Sequence, residues 1–294
     1  MRRREFVSAA ALAGASTVAG VRAGAQTGTA PAPSKGRLKQ CVTNFPFDPK
    51  MPFDDRCREA ARLGCVGYDL VGPKDWPTLK KYGLIPTMAP PGGVTMESGL
   101  IHKETHEKFL ASLGAAIDEC AAGGCPNIIT VGGQRQGMPD AEGADNAVEF
   151  LNRIKSRAED KGVTICIEVM NSKLQDPGLG RKDQMCDHMA WAVDVVSRVN
   201  SPRVKILYDI YHAQIMDGDI CRHIQQKFQW IGHFHTGGVP GRHEIDDTQE
   251  LNYRFIAKTI ADLGFTGHIA HEFRPAPGRD PRQSLKQAIE IITV

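Results

Sequence analysis

Four consecutive apolar segments in the second half of the chain each end in a side chain that could bind a metal ion or move a proton. Ile165-Cys166-Ile167 is followed by Glu168, Ile206-Leu207-Tyr208 by Asp209, Gly232-His233-Phe234 by His235, and Ile269-Ala270-His271 by Glu272. A carboxylate is costly to bury unless it is paired or binds a cation. Three carboxylates and one imidazole suit Mg²⁺ or Mn²⁺ better than zinc. The pattern therefore predicts one divalent-metal site formed by these four terminal residues.

The competing interpretation of these acids is structural. Each carboxylate would cap the helix that follows its segment or pair with a surface base. The same explanation fits Asp69 and Asn171, which also follow apolar segments and for which helix capping is at least as good an account. A structure separates the two interpretations, because a shared metal site requires the four side chains to converge.

Two further polar residues lie close to this predicted site. His212 follows Asp209 by three residues, so we expect it beside the substrate. Arg242 lies in the glycine-rich loop 237–244, where its guanidinium could hold a substrate carboxylate or hydroxyl by a bidentate contact. An ordinary solvated loop arginine is the alternative for Arg242, and His243 and Glu244 are weaker candidates for the rim.

The remaining histidines of these segments are predicted to be structural. Successive side chains of a strand point to opposite faces, so His233 shares the inward face of His235 and lies one layer deeper. We expect it to be a hydrogen-bonded core histidine. His271 has the opposite orientation to Glu272 and should face the outer helices.

Eight apolar segments alternate with amphipathic ones after residue 35. The predicted strands are 38–44, 65–71, 84–88, 127–131, 164–169, 204–209, 230–235 and 268–272. The predicted helices are 54–63, 75–82, 103–122, 141–161, 183–199, 219–227, 248–263 and 281–292. Strands separated by helices indicate a parallel sheet, and eight such units favour a single closed (β/α)8 TIM barrel. Active sites of that fold lie at the C-terminal ends of the strands, where the four polar residues stand.

Composition excludes several other classes of protein. The 294 residues include 36 basic and 34 acidic side chains, a net charge of +2, and we see no basic cluster after the N-terminus that would indicate nucleic-acid binding. No segment has about 18 consecutive apolar residues, so we expect no stable membrane anchor. None of the eight cysteines forms a C-x-x-C pair, which favours buried thiols over disulfides or zinc ligation.

The first 25 residues differ from the rest of the chain. Three arginines and the sequence Glu5-Phe6-Val7 precede an uncharged Ala/Gly/Val stretch and then Ala23-Gly24-Ala25. This order is typical of a twin-arginine signal peptide with an A-x-A cleavage site. We therefore expect a signal peptide over 1–25, a flexible lead-in over 26–35, a barrel over 36–294, and export to the periplasm. A disordered tail is the alternative.

Several linked motifs resemble the hydroxypyruvate isomerase family, one of the xylose isomerase-like barrels. They are Asp209-Ile210-Tyr211-His212-Ala213-Gln214, Pro240-Gly241-Arg242-His243-Glu244, Leu251-Asn252-Tyr253 and His271-Glu272-Phe273-Arg274-Pro275. The resemblance extends from about residue 41 to 274 and is strongest after 164. It implies an isomerase that converts hydroxypyruvate to tartronate semialdehyde, with Glu168 and Glu272 as the proton donor and acceptor.

Related epimerases imply that the four strand-end residues bind the metal and that His212 and Arg242 contact the substrate. The well-known hydroxypyruvate isomerases carry Gln at the position of His235, so the site is closer to the epimerases there. A ketose 3-epimerase, or another sugar isomerase or lyase, is therefore the main alternative. An exported carbohydrate-binding protein without catalysis is another.

The expected partner is a small hydroxy-carbonyl or sugar molecule, and a homo-oligomer is left open. A metal-dependent DNA-repair endonuclease shares this class of barrel. It would require more histidine ligands and a basic groove, and the sequence has neither.

Overall fold

Eight parallel strands surround a common axis in the computed structural model, which describes residues 36–175 and 179–294. The strands are β1 (Lys39–Val42), β2 (Gly67–Asp69), β3 (Ile85–Met88), β4 (Asn127–Thr130), β5 (Thr164–Glu168), β6 (Val204–Asp209), β7 (Ile231–Thr236) and β8 (His268–His271). Their order is β3-β2-β1-β8-β7-β6-β5-β4. A parallel bridge between Ala89 and Ile128 joins β3 to β4. The sheet is thus a nearly closed (β/α)8 barrel, as predicted.

Helices pack around the outside of this barrel. They are α1 (Phe53–Leu63), α2 (Trp76–Lys81), α3 (His106–Gly123), α4 (Asp140–Lys161), α5 (Met189–Val199), α6 (Ile210–Met216), α7 (Ile220–Lys227), α8 (Tyr253–Asp262) and α9 (Pro281–Ile292). No helix in the described ranges is long and apolar enough to cross a membrane. The predicted signal peptide and lead-in, residues 1–35, lie outside the described residues.

Two predicted helix starts are wrong. α5 begins at Met189 rather than at 183, because Asp183 and Met185 form backbone hydrogen bonds with the loop after β4. α8 begins at Tyr253 rather than at 248, because the side chain of Asn252 caps it by accepting a hydrogen bond from the Phe255 amide. The short helix α6, directly after β6, was not predicted.

The strands are largely buried on both faces, which explains why apolar side chains occupy adjacent positions in β4, β5 and β6. A large apolar core lies between the sheet and the helices, and a small cluster of Met88, Ile129, Cys166 and Leu207 forms a second one. All eight cysteines are free and seven of them are buried, as predicted. Burial raises the pKa of Cys65 and of Cys166 to about 12.

The turn between α4 and β5 sets the start of the first strand that carries a predicted site residue. Gly162 ends α4 with φ 69°, a left-handed conformation that glycine adopts without steric cost. The chain then enters β5 at Thr164 and reaches Glu168 at its C-terminal end. This turn therefore places Glu168 at the mouth of the barrel.

Candidate active site at the mouth of the barrel

The four strand-end residues converge. Glu168 ends β5, Asp209 ends β6, His235 lies near the end of β7 and Glu272 directly follows β8. One potential ligand atom from each lies within 4.8 Å of the others. All four are buried, and the strand register places Asp209 directly opposite His235. The structure thus brings together every residue of the predicted metal site.

The two ring nitrogens of His235 have different neighbours. Nε2 lies 3.1 Å from Asp69 Oδ2. Nδ1 lies 2.7 Å from Glu272 Oε2 and 3.7 Å from Glu168 Oε1, yet it has no partner with hydrogen-bond geometry in the described chain. A buried nitrogen that faces carboxylates in this way fits a metal ligand, since a neutral imidazole with its proton on Nε2 has its lone pair on Nδ1.

Asp69 is a part of this site that the sequence did not identify. It does not cap a helix. Its carboxylate is fully buried inside the barrel, where it accepts hydrogen bonds from His233 Nε2 at 2.6 Å, from His235 and from the Thr87 hydroxyl. Burial alone would raise the pKa of Asp69, but His233 and His235 outweigh it and hold that pKa well below its usual range. His233 is a hydrogen-bonded core histidine, as predicted.

Arg242 is buried rather than solvated. Its Nη2 donates to Asp209 Oδ2 at 2.6 Å and also to Glu272 Oε2. The backbone of Arg242 is left-handed, with φ 57°, and its carbonyl accepts a hydrogen bond from the Arg274 amide at 2.7 Å. This loop arginine therefore partly neutralises two of the candidate metal ligands and lines the same cavity.

His212 lies in the first turn of α6 and is also buried. The amide of Asn171 donates to His212 Nδ1 at 2.6 Å, and Arg242 Nη1 lies 3.2 Å from His212 Nε2. Burial, together with the nearby Arg242, lowers the pKa of His212 well below its usual value. Asn171 does not cap a helix, because its side-chain Oδ1 accepts a hydrogen bond from the Leu174 amide in the loop after β5. His212 is thus a neutral ring at the cavity wall.

Asp209 combines both of the roles considered for it. Its Oδ1 accepts from the Tyr211 amide at 2.9 Å and caps α6, while Oδ2 faces Arg242. Burial raises the pKa of Asp209 to about 7, although Arg242 opposes the shift. Helix capping and membership of the cluster are therefore compatible in one carboxylate.

The cluster concentrates negative charge. Burial by itself would raise the pKa of Glu272, but Arg242 and His235 outweigh it and lower that pKa to about 2. Burial would lower the pKa of His235, yet Glu272 and Asp69 raise it well above the ordinary value. The charge that favours a proton on His235 also favours a bound cation, so the two compete for the same place.

A cavity of about 330 Å³ opens onto these side chains. Its polar lining includes Glu168, His212, Arg242, Glu272 and Arg274, all from β5 to β8 or the segments that directly follow these strands. Its apolar lining includes Phe45, Leu70, Pro90, Met96, Val131 and Met170. The volume suits a small molecule rather than a polymer.

Curated relatives of the chain include isomerases. The 2-oxo-tetronate isomerase of Pectobacterium atrosepticum is 26% identical over 239 residues, 76% of this chain and 87% of that protein. That of Cupriavidus necator is 32% identical over 176 residues, 58% of this chain and 63% of that protein. A Danio rerio protein proposed to be a hydroxypyruvate isomerase is 30% identical over 175 residues, 58% of this chain and 61% of that protein.

Solved structures share the fold. A protein from Brucella melitensis described as an AP endonuclease of family 2 superposes with a TM-score of 0.72 at 24% identity, covering 84% of this chain and 96% of its own. The 3-keto-D-glucoside 4-epimerase of E. coli gives a TM-score of 0.71 at 17% identity, covering 87% and 98%. The profile of one family, described as the xylose isomerase-like TIM barrel, matches residues 77–293. The chain belongs to the xylose isomerase-like TIM barrel family.

Proposed function

We propose that this chain is a divalent-metal-dependent isomerase of small hydroxy-carbonyl substrates that converts hydroxypyruvate to tartronate semialdehyde through an enediolate. The observation that carries the proposal is that Glu168 and Glu272, which line one small cavity, converge with Asp209 and His235. The isomerase relatives support the reaction class.

The side chains present fit a divalent cation. Three carboxylates and His235 Nδ1, which faces Glu168 and Glu272, form a set of oxygen and nitrogen ligands suited to Mg²⁺ or Mn²⁺. Glu168, Asp209, His235 and Glu272 would hold the ion. When bound, it would supply charge stabilisation to the developing enediolate, worth several kcal/mol.

The two glutamates would move the protons. One removes a proton from C3 of hydroxypyruvate, and the electron pair of that C–H bond forms the C2–C3 double bond of the enediolate. The other returns a proton to C2, while the proton of the C3 hydroxyl is transferred to the oxygen on C2. Each transfer by a positioned carboxylate contributes about 10²–10⁴-fold. Arg242 and His212 line the cavity and would contact substrate oxygens there.

The test replaces each glutamate by its neutral isostere. We expect Glu168→Gln and Glu272→Gln to lower kcat by about 10²–10⁴-fold on hydroxypyruvate and to abolish exchange of substrate C–H with solvent deuterium, measured by NMR. Glu244→Gln is the matched control, because Glu244 is equally buried but bonds Ser284 and the Ala276 amide away from the cavity. Near-parental turnover in either cavity variant would show that Glu168 and Glu272 are not the proton donor and acceptor.

Ketose 3-epimerisation is the second candidate, because the resemblance to related epimerases implies an imidazole at the position of His235. The same proton chemistry would then return the proton to the carbon from which it came. A panel of hydroxypyruvate, ketohexoses and inososes separates the two by product and by the position of deuterium. A ligand that raises the melting temperature without any exchange would instead indicate a carbohydrate-binding protein.

We further propose export through a twin-arginine signal in residues 1–25, on the sequence pattern alone. Arg3→Lys combined with Arg4→Lys should retain the full-length protein in the cytoplasm, as measured by cell fractionation. Export that is unaffected by the double substitution would exclude this route.

A further inference from the structure

Arg274 occupies a distinctive position at the cavity. It follows Glu272 by two residues and lines the same cavity as Glu168 and Glu272. Its guanidinium carbon lies 4.7 Å from the centre of the Phe45 ring. Its backbone amide donates to the Arg242 carbonyl at 2.7 Å, and its own carbonyl lies 2.9 Å from His243 Nδ1. Arg274 is thus held between the loops after β7 and β8.

The other arginines of the cavity are already engaged. Arg242 pairs with Asp209 and Glu272, and Arg181 lies 3.7 Å from Glu97. Within residues 36–175 and 179–294, Arg274 makes no ion pair with a carboxylate. A guanidinium stacked on an aromatic face keeps its in-plane N–H donors free, and these match the two oxygens of a carboxylate.

The charge of a 2-oxo acid is complementary to this cation. The carboxylate of such a substrate is attracted by a guanidinium at its end of the cavity. A neutral ketose has no charge there and gains no comparable attraction from an unpaired arginine at the mouth.

We propose that Arg274 binds the carboxylate of the substrate, so that the enzyme selects 2-oxo acids over neutral ketoses of the same size. The proposal rests on the isomerase function above and assigns its substrate class. Arg274 acts here as a specificity residue that touches the substrate away from the reacting carbons. If it served only to support Phe45 by stacking, it would affect acidic and neutral substrates alike.

The experiment compares hydroxypyruvate with dihydroxyacetone, which has a hydroxymethyl group in place of the carboxylate. We expect Arg274→Gln to raise KM for hydroxypyruvate by about 10–100-fold with little change in kcat, and to leave kcat/KM for dihydroxyacetone within about twofold. Arg274→Lys should recover part of the affinity. Arg181→Gln is the matched rim variant and should change neither value by more than about twofold.

Calorimetric binding of tartronate, a non-reacting hydroxy acid, separates failure of this proposal from failure of the proposed reaction. Wild-type protein should bind tartronate, and Arg274→Gln should bind it about 10–100-fold more weakly, whether or not hydroxypyruvate is turned over. Equal tartronate affinity in the two proteins, no binding to the wild type, a parallel loss for both substrates, or a loss confined to Arg181→Gln would each overturn the assignment.

Discussion

At the residue scale, the central feature is that the two ring nitrogens of His235 contact different carboxylates. Asp69 engages Nε2, so Nδ1 faces Glu168 and Glu272. Histidine ligands of metals commonly donate their second nitrogen to a carboxylate, which fixes the tautomer and raises the basicity of the ligand nitrogen. Asp69 is therefore a positioning residue in this account, and Thr87 and His233 hold it in turn.

The corresponding prediction concerns Asp69→Asn. We expect this variant to bind Mn²⁺ about 10–100-fold more weakly, as measured by calorimetry on chelator-stripped protein, because the charge that orients His235 is lost. Asp187→Asn is the matched control, since Asp187 is also buried and pairs with Arg135 outside the cluster. Both variants should lose stability without metal. Unchanged Mn²⁺ affinity in Asp69→Asn would reduce Asp69 to a purely structural residue.

The sequence was informative about some residues and silent about others for a physical reason. Glu168 and Asp209 each follow three consecutive apolar residues at the end of a strand, so their place at the mouth could be predicted directly. Asp69 ends a strand of only three residues and contacts a histidine 166 positions away. Nothing local distinguishes such a residue from a helix cap.

At the scale of elements, the loop after β7 determines where Arg242 lies. The Gly238 amide donates to the His243 carbonyl at 2.8 Å, and a Cβ at Gly238 would lie 2.1 Å from the Glu244 carbonyl oxygen. The loop is thus closed on itself so tightly that position 238 has no room for a side chain. Its geometry fixes the approach of the guanidinium to Asp209 and Glu272.

We predict that Gly238→Ala lowers kcat/KM by at least about tenfold, because the loop must open and displace Arg242 by enough to disturb the site. Circular dichroism should show a folded barrel, since the change is confined to a loop. Gly72→Ala is the control, because Gly72 has an ordinary φ of −86° and nothing lies within 4 Å of a Cβ there. Parental kinetics in Gly238→Ala would show that the loop accommodates a Cβ at position 238 without disturbing the site.

Elements buried on both sides were predictable, whereas amphipathic-looking connections were not. The eight strands lie in short segments rich in apolar residues and were predicted with small errors at their ends. Residues 183–188 and 248–252 continue the polar and apolar pattern of the helices they precede. Their backbone groups are instead bound by neighbouring loops and by the Asp246 side chain, and these tertiary contacts override the local pattern.

At the scale of the whole molecule, the two ends of the barrel have different roles, the site lying at one end and a residue that contributes to stability at the other. The cavity lies at the C-terminal ends of the strands, and His268 begins β8 at the opposite end. Burial, reinforced by His233, lowers the pKa of His268 to about 4. The folded state therefore favours the neutral ring, and its contribution to stability is complete above the unfolded pKa of about 6.5 and is lost as the pH falls towards 4.

Replacing His268 should make the free energy of unfolding less sensitive to a fall in pH below 7. Between pH 7 and pH 5 we expect the wild type to lose about 1–2 kcal/mol more unfolding free energy than His268→Gln, measured by urea denaturation at each pH. Turnover at pH 7.5 should be the same in both proteins, because position 268 is far from the cavity along the strand. Parallel stability profiles would show that His268 does not titrate between folded and unfolded states.

The central claim is that four neighbouring strand ends share one cation, and a crystal grown with Mn²⁺ tests it directly through the anomalous signal of the metal. The account predicts a single strong peak within coordination distance of Glu168, Asp209, His235 Nδ1 and Glu272, with the Arg242 guanidinium moved away from Asp209 and Glu272. A peak among Asp69, His233 and His235 instead, or no peak at saturating Mn²⁺, would contradict it.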